Sequence, residues 1–227
     1  MAGNPLALII GAGPGVSASL ARLLHMNGYD IALAARNTDK LIGLAEETHA
    51  AAYPCDVTNR GSIASLFDTV GATPDVMIYN PSYRVRGPLV DLDPDEVQRT
   101  IQTAAFGAFL AAQQAARRML ERGSGTIIFT GASAGVKGYP QSAPFAMGKF
   151  ALRGLAQSMA RELHPQNIHI GHVVIDGGIR SERRPDEPGA DKLLDPDAIA
   201  ESYLHLIRQP RSSWSWEIEI RPWVEKF

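Results

Sequence analysis

The chain predicts an α/β fold: a single doubly wound domain with a mostly parallel seven-stranded sheet and helices on both faces. Three observations predict it. Short apolar runs alternate with longer helical patterns from end to end, as in a sheet covered on both sides. Right-handed crossovers make such a sheet doubly wound. A glycine-rich turn, "GAGPG", joins the first apolar run to the first helical pattern. No internal repeat, linker or low-complexity stretch divides the 227 residues, so residues 1–227 read as one domain.

Leu6–Ile10 (LALII) is a buried strand, and residues 16–27 make a helix with apolar positions at Leu20, Leu23 and Leu24. Asp30–Ala35 is the second strand and residues 40–48 the second helix. "AAYPCDV" (51–57) is a third strand, ended by "TNRG", and "DVMIYN" (75–80) is the fourth. Residues 94–120 form one long helix, opened by proline and acidic residues and closed by Gly123. "GTIIFTG" (125–131) is the fifth strand. The helix Ala143–Leu163 is stopped by Pro165, and "IHIGHVVI" (Ile168–Ile175) is the sixth strand. Residues 195–209 form a last helix, and 214–222 alternate as a last strand. Residues 180–194, rich in Pro, Arg, Asp and Glu, are a candidate mobile substrate lid above the carboxyl ends of the strands, where ligands bind in this architecture.

Composition removes several function classes. At 45% hydrophobic and 20% charged the chain is an ordinary globular sequence. A net charge of -2 gives no electrostatic case for nucleic acid or an anionic membrane surface. "RSERRP" (180–185) reads as a solvated loop before it reads as a phosphate contact. Cys55 is alone, so there is no internal disulfide and no thiolate metal cluster. "HIGH" (His169–His172) reads as strand alternation rather than metal spacing. No apolar stretch is long enough to span a bilayer, and the N-terminal residues lack a signal pattern, so a cytoplasmic location is expected.

The turn places Gly11, Gly13 and Gly15 between a strand and a helix. Glycine is needed where backbone turns tightly or lies against a pyrophosphate, and the free amides of the helix start hold the phosphates. The strict G-x-G-x-x-G pattern fails at Val16, whereas Gly11, three residues, Gly15, one residue, then small Ser17 fits a related spacing. An NAD site ends its second strand with an acid. Here the strand ends Ala35-Arg36, and a guanidinium there can grip a 2′-phosphate bidentately. That favours NADP(H) over NAD(H), with a solvated strand-end arginine as the alternative. Asp56, followed by Val57, puts a carboxylate at the third strand's end, able to accept from the adenine amino group.

Together, "GAGPGVS", "CDV", "YNPS", the helix bearing Lys149 and the run "ARELHPQNIHIGHVVIDGGI" resemble the short-chain dehydrogenase/reductase family over nearly the whole chain. The resemblance implies a Rossmann fold and an NAD(P)-dependent oxidoreductase. It implies homodimers or homotetramers paired through the long helices, and as partners only the dinucleotide and an unknown small substrate. It also implies cofactor contacts from Asn80, Ile179 and Ser181 as well as from the loop. In the family a tyrosine donates the proton. A lysine four residues on lowers its pKa and holds the nicotinamide ribose, a serine thirteen residues before it bonds the substrate oxygen, and a helix asparagine anchors a water. Here the lysine is Lys149, but the tyrosine place is Phe145, the serine place Ala132 and the asparagine place Ala104. Asp176 replaces the family's proline near the nicotinamide, or simply caps a strand end.

A positioned general acid contributes about 10²–10⁴-fold, and one oxyanion donor about 10²–10³-fold. These effects do not multiply, because the residues act as a unit. The candidate replacement donors are Tyr139, Ser133 (one residue out of register), Ser142 and Tyr83. Tyr139 reads first as a ring packed under the lid and second as a donor. Without a replacement the chain is an NADP-binding sensor or partner subunit.

Overall fold

The computed structural model describes residues 3–187 and 189–225. Seven strands form one sheet: β1 (Leu6–Ile10), β2 (Asp30–Ala35), β3 (Ala51–Pro54), β4 (Val76–Tyr79), β5 (Gly125–Thr130), β6 (Ile168–Ile175) and β7 (Glu217–Ile220). Their order is β3-β2-β1-β4-β5-β6-β7, so the direction of winding reverses between β1 and β4. Every neighbouring pair is parallel, where mostly parallel pairing was expected. The helices are α1 (Val16–Met26), α2 (Ile42–Thr48), α3 (Arg60–Val70), α4 (Pro94–Ile101), α5 (Gly107–Arg122), α6 (Ala143–Leu163) and α7 (Pro196–Arg208).

Alternate residues of each central strand feed two cores. Leu8, Ile10, Met77, Tyr79, Ile127 and Phe129 face α3, α5 and α6. Ala7, Ile9, Val76, Ile78 and Ile128 face α1 and α7, packing on Leu20, Leu24, Ile199 and Tyr203. Both faces are apolar, so the strands read as continuous hydrophobic runs, as parallel sheets do. Each fully buried aliphatic side chain contributes about 1.5–3 kcal/mol.

Three expectations need correcting. The third strand ends at Pro54 rather than at residue 57, because its one neighbour, β2, ends opposite it at Ala35. The segment opened by "TNRG" is a helix, α3: Asn59 caps it by accepting from the Ser62 amide at 3.0 Å, and Ile63, Leu66 and Phe67 bury one face. The long helix is interrupted by a π-helical turn, Gln102–Phe106. Such a turn leaves a carbonyl without its usual partner, and the buried Tyr79 hydroxyl donates to Thr103 O at 2.6 Å. Gly107 makes this approach possible, since a Cβ there would lie 2.6 Å from both the Tyr79 hydroxyl oxygen and the Val57 carbonyl oxygen.

Candidate active site

The loops at the carboxyl ends of the strands enclose a trough in two connected parts. The first, of about 310 Å³, is walled by Gly11, Gly13, Arg36, Asp56, Val57 and Asn80. The second, of about 480 Å³, is walled by Gly15, Val16, Ala132, Ser133, Tyr139, Phe145, Lys149, Ile179 and Ser181. Pro14, Asn80 and Ser82 border both. The trough opens where the winding of the sheet reverses, the place where open α/β sheets bind ligands.

Gly11 has φ +81° and turns so tightly against Pro81 that a Cβ would meet its backbone nitrogen at 2.5 Å. By contrast, a Cβ at Gly13 or Gly15 would meet nothing within 4 Å, so the space over the loop is open. Gly15 caps the N-terminus of α1, whose first amides face that space. A pyrophosphate fits this cradle. Ser17 is not on the trough wall. Its hydroxyl donates to Gly11 O at 3.2 Å and accepts from Asn80 Nδ2 at 2.7 Å, so it braces the glycine turn against the end of β4.

Arg36 is exposed beside Asp56, and no acid stands at the end of β2. Asp56 Oδ1 accepts from the Thr58 amide at 3.0 Å and the Thr58 hydroxyl at 2.8 Å. The amide bond leads the causes that hold the Asp56 carboxyl below its usual range, with Arg36 and Arg99 adding to it. Its Oδ2 has no hydrogen bond among the described residues and is free for a ligand.

Lys149 rises from α6 into the second part and is only 3% exposed. Its ammonium donates to Thr130 O at 2.7 Å and lies 5.8 Å from the centroid of the Phe145 ring. An ammonium has three donors, and Thr130 is the one hydrogen-bond acceptor it meets among the described residues. Burial lowers its pKa from 10.5 to about 8. Behind it, His172 Nδ1 meets Glu217 Oε2 at 2.9 Å, and Arg153 grips the same carboxylate at 2.6 and 2.7 Å. Desolvation holds His172 below the ordinary histidine range.

The structure brings Phe145 and Ala132 together with Lys149, as the register predicts, and places Ser133 and Tyr139 on the same wall. It separates the other candidates. Ala104 is fully buried in the π-helical turn, where it packs on Gly148 of α6 and does not reach the trough. Ser142 is fully buried at the head of α6. The Tyr83 hydroxyl donates to Glu96, which raises its pKa, and the residue faces the first part of the trough. Neither lines the second part of the trough with Phe145. Asp176 is buried and pairs with Lys137 at 3.3 Å and Arg221 at 3.4 Å, so it is a strand-end tie rather than a free carboxylate.

Two residues of this wall were not singled out from the sequence. Arg84, from the loop after β4, lies 4.9 Å from the Phe145 ring centroid, and Arg184 comes from segment 180–194. The basic letters of "YRVRG" and "RSERRP" were the available signal. That segment is pinned at both ends, by Arg180 N–H to Leu194 O and Leu194 N–H to Gly178 O, each 2.8 Å. Among the described residues no His, Cys, Asp and Glu cluster could hold a metal, and no helix is long and apolar enough to cross a membrane.

A parallel doubly wound sheet with a glycine cradle, a strand-end arginine and a buried lysine along its switch-point crevice defines a Rossmann-type domain. A family model for short chain dehydrogenases matches residues 5–187, and the chain belongs to that family. It is 29% identical over 229 residues to an uncharacterized oxidoreductase of Staphylococcus aureus strain N315, covering 96% of this chain and 97% of the relative. Among solved structures, a short-chain dehydrogenase from Rhodopseudomonas palustris superposes with a TM-score of 0.84 at 32% identity, covering 97% of this chain and 99% of that one. A metagenomic short-chain oxidoreductase in complex with NADP superposes with a TM-score of 0.86 at 27% identity, covering 97% and 98%.

Proposed function

We propose that residues 1–227 form one dinucleotide-binding domain that holds NADP(H) in this trough and acts as an oxidoreductase with an atypical site, Phe145-x-x-x-Lys149 in place of the family's tyrosine and lysine. The observation that carries the reading is Lys149. It is a buried cation with one hydrogen-bond acceptor among the described residues, on the same trough as an open glycine cradle and a strand-end arginine. Burying an ammonium with only one acceptor is costly, and a ribose diol would offer it further ones.

Arg36 would hold the 2′-phosphate, Asp56 Oδ2 the adenine amino group, and the amides around Gly13, Gly15 and Val16 the pyrophosphate. Lys149 and Asn80 would hold the nicotinamide half, with Ile179 and Ser181 at its carboxamide. Bound NADP(H) supplies the hydride chemistry. Phe145 and Ala132 give no proton, so a hydroxyl must come from Tyr139 or Ser133, which share the wall. Segment 180–194 serves as the substrate lid. A homodimer or homotetramer would cover the exposed Phe106, Phe109, Met147 and Phe150 on α5, α6 and the turn between α4 and α5, and the reading puts it in the cytoplasm.

The test is turnover of NADPH with a panel of carbonyl and imine substrates. Under a moved acid, Tyr139→Phe lowers the rate about 10²-fold or more, and an unchanged rate removes Tyr139 from the mechanism. The absence of hydroxyl or amide groups at Phe145, Ala132 and Ala104 together favours a second reading, an NADP-loaded sensor or partner subunit. It predicts tight NADPH binding with no turnover on any substrate.

A further inference from the structure

The geometry points to a subsite above Phe145 that binds an anionic group of the substrate, a carboxylate or a phosphate, through Arg84 and Arg184. The inference rests on the proposal that this end of the trough receives the nicotinamide half of NADP(H).

Arg84 stands over the Phe145 ring at 4.9 Å from its centroid, and Arg184 lies beside it on the same wall. The Arg184 guanidinium is packed so closely on Gly178 that a Cβ there would meet Nη1 at 2.4 Å. The hairpin that presents it is closed by two backbone bonds between Ser181 and Arg184, each 3.0 Å. Arg84 thus lies over an aromatic ring, and Arg184 comes from a turn whose backbone is closed. Burial, and after it the like charges of Arg86 and Arg184, push the Arg84 pKa down. Among the described residues none of the three pairs with a carboxylate, although Arg180 beside them pairs with Asp195 at 2.7 Å and Lys137 with Asp176 at 3.3 Å.

A chain with net charge -2 that sets Arg84 and Arg184 on one cleft wall, neither paired with a carboxylate among the described residues, creates a local field for an anion. Guanidinium geometry suits the two oxygens of a carboxylate or phosphate. A guanidinium that lies over a ring can keep its N–H groups for an anion. Phe145 thus has a positive role: it is the apolar plate that orients Arg84. The cofactor's own phosphates are provided for elsewhere, at the open cradle over Gly13 and Gly15 and at Arg36. The charge above Phe145 is left for the substrate.

The test uses the full chain saturated with NADP+, after calorimetry has established that NADP+ binds. The probes are four oxo acids, pyruvate, 2-oxobutyrate, benzoylformate and phenylpyruvate, each against its methyl ester, together with dihydroxyacetone phosphate against dihydroxyacetone. Binding is read by calorimetry. At least one anion should bind about tenfold or more tightly than its neutral counterpart, as a hydrogen bond to a charged group allows. Which pairs discriminate tells carboxylate from phosphate. Arg84→Gln and Arg184→Gln should each cut that preference about fivefold or more while NADP+ affinity stays within about twofold. No preference for any anion would overturn the inference. So would a preference that survives both substitutions, or a collapse of NADP+ affinity in the variants, which would give these arginines to the cofactor. Failure of NADP+ to bind at all would instead strike the proposed function.

Discussion

Lys149 concentrates the chemistry at the scale of single residues. Its position was legible in the sequence from the spacing to Phe145, Gly135 and Gly138. Its energetics were not, because burial depends on elements far apart in the chain. Its folded pKa of about 8 lies below the ordinary 10.5, so the unfolded chain binds more protons between those values and stability rises with pH through that window. Compared with Lys149→Met, the wild type should gain about 3 kcal/mol of relative stability between pH 8 and pH 10.5, and the two should run parallel below pH 8. Denaturant melts across that range check it, and parallel curves throughout would contradict it. Phe145 and Ala132 were equally legible as departures from the family register. Arg84 was not, because nothing in "YRVRG" says where a guanidinium will land. The ring that holds it arrives much later in the chain, in α6.

At the scale of elements, β1, β2, β6 and α6 match the expected bounds to the residue, whereas the last strand, expected over 214–222, is β7 at Glu217–Ile220. Two features escaped. Helix α3 was hidden because "TNRG" carries turn letters, with Gly61 inside the first turn. Only the spacing of Ile63, Leu66 and Phe67 betrays it. The π-helical turn escaped because its cause is tertiary: Tyr79, a strand residue, supplies the hydroxyl that satisfies Thr103 O. Gly107 tests this account. Alanine normally gains about 1 kcal/mol over glycine within a helix. Here the new Cβ would press on a backbone carbonyl and on the Tyr79 hydroxyl, and overpacking of this kind costs about 1–3 kcal/mol. Gly107→Ala should therefore lower the Tm by a few degrees, at roughly 2–4 °C per kcal/mol for a chain of this size. An unchanged or raised Tm in a thermal melt would show that the turn relaxes freely.

Over the whole molecule, the sheet sets everything else in place. Reversal of winding between β1 and β4 opens the crevice, the glycine turn and Arg36 line one end, and Lys149 with Phe145 lines the other. Under the proposed function the trough keeps the cofactor half of the family pattern, and Phe145, Ala132 and the buried Ala104 stand where the resemblance puts the proton-transfer side chains. Calorimetric titration of NADP+ and NAD+ into the purified chain, repeated with Arg36→Ala, tests the central claim most directly. The account predicts that NADP+ binds about tenfold or more tightly than NAD+, and that the substitution removes most of the difference. Equal affinities, or no binding of either dinucleotide at millimolar concentration, would contradict it.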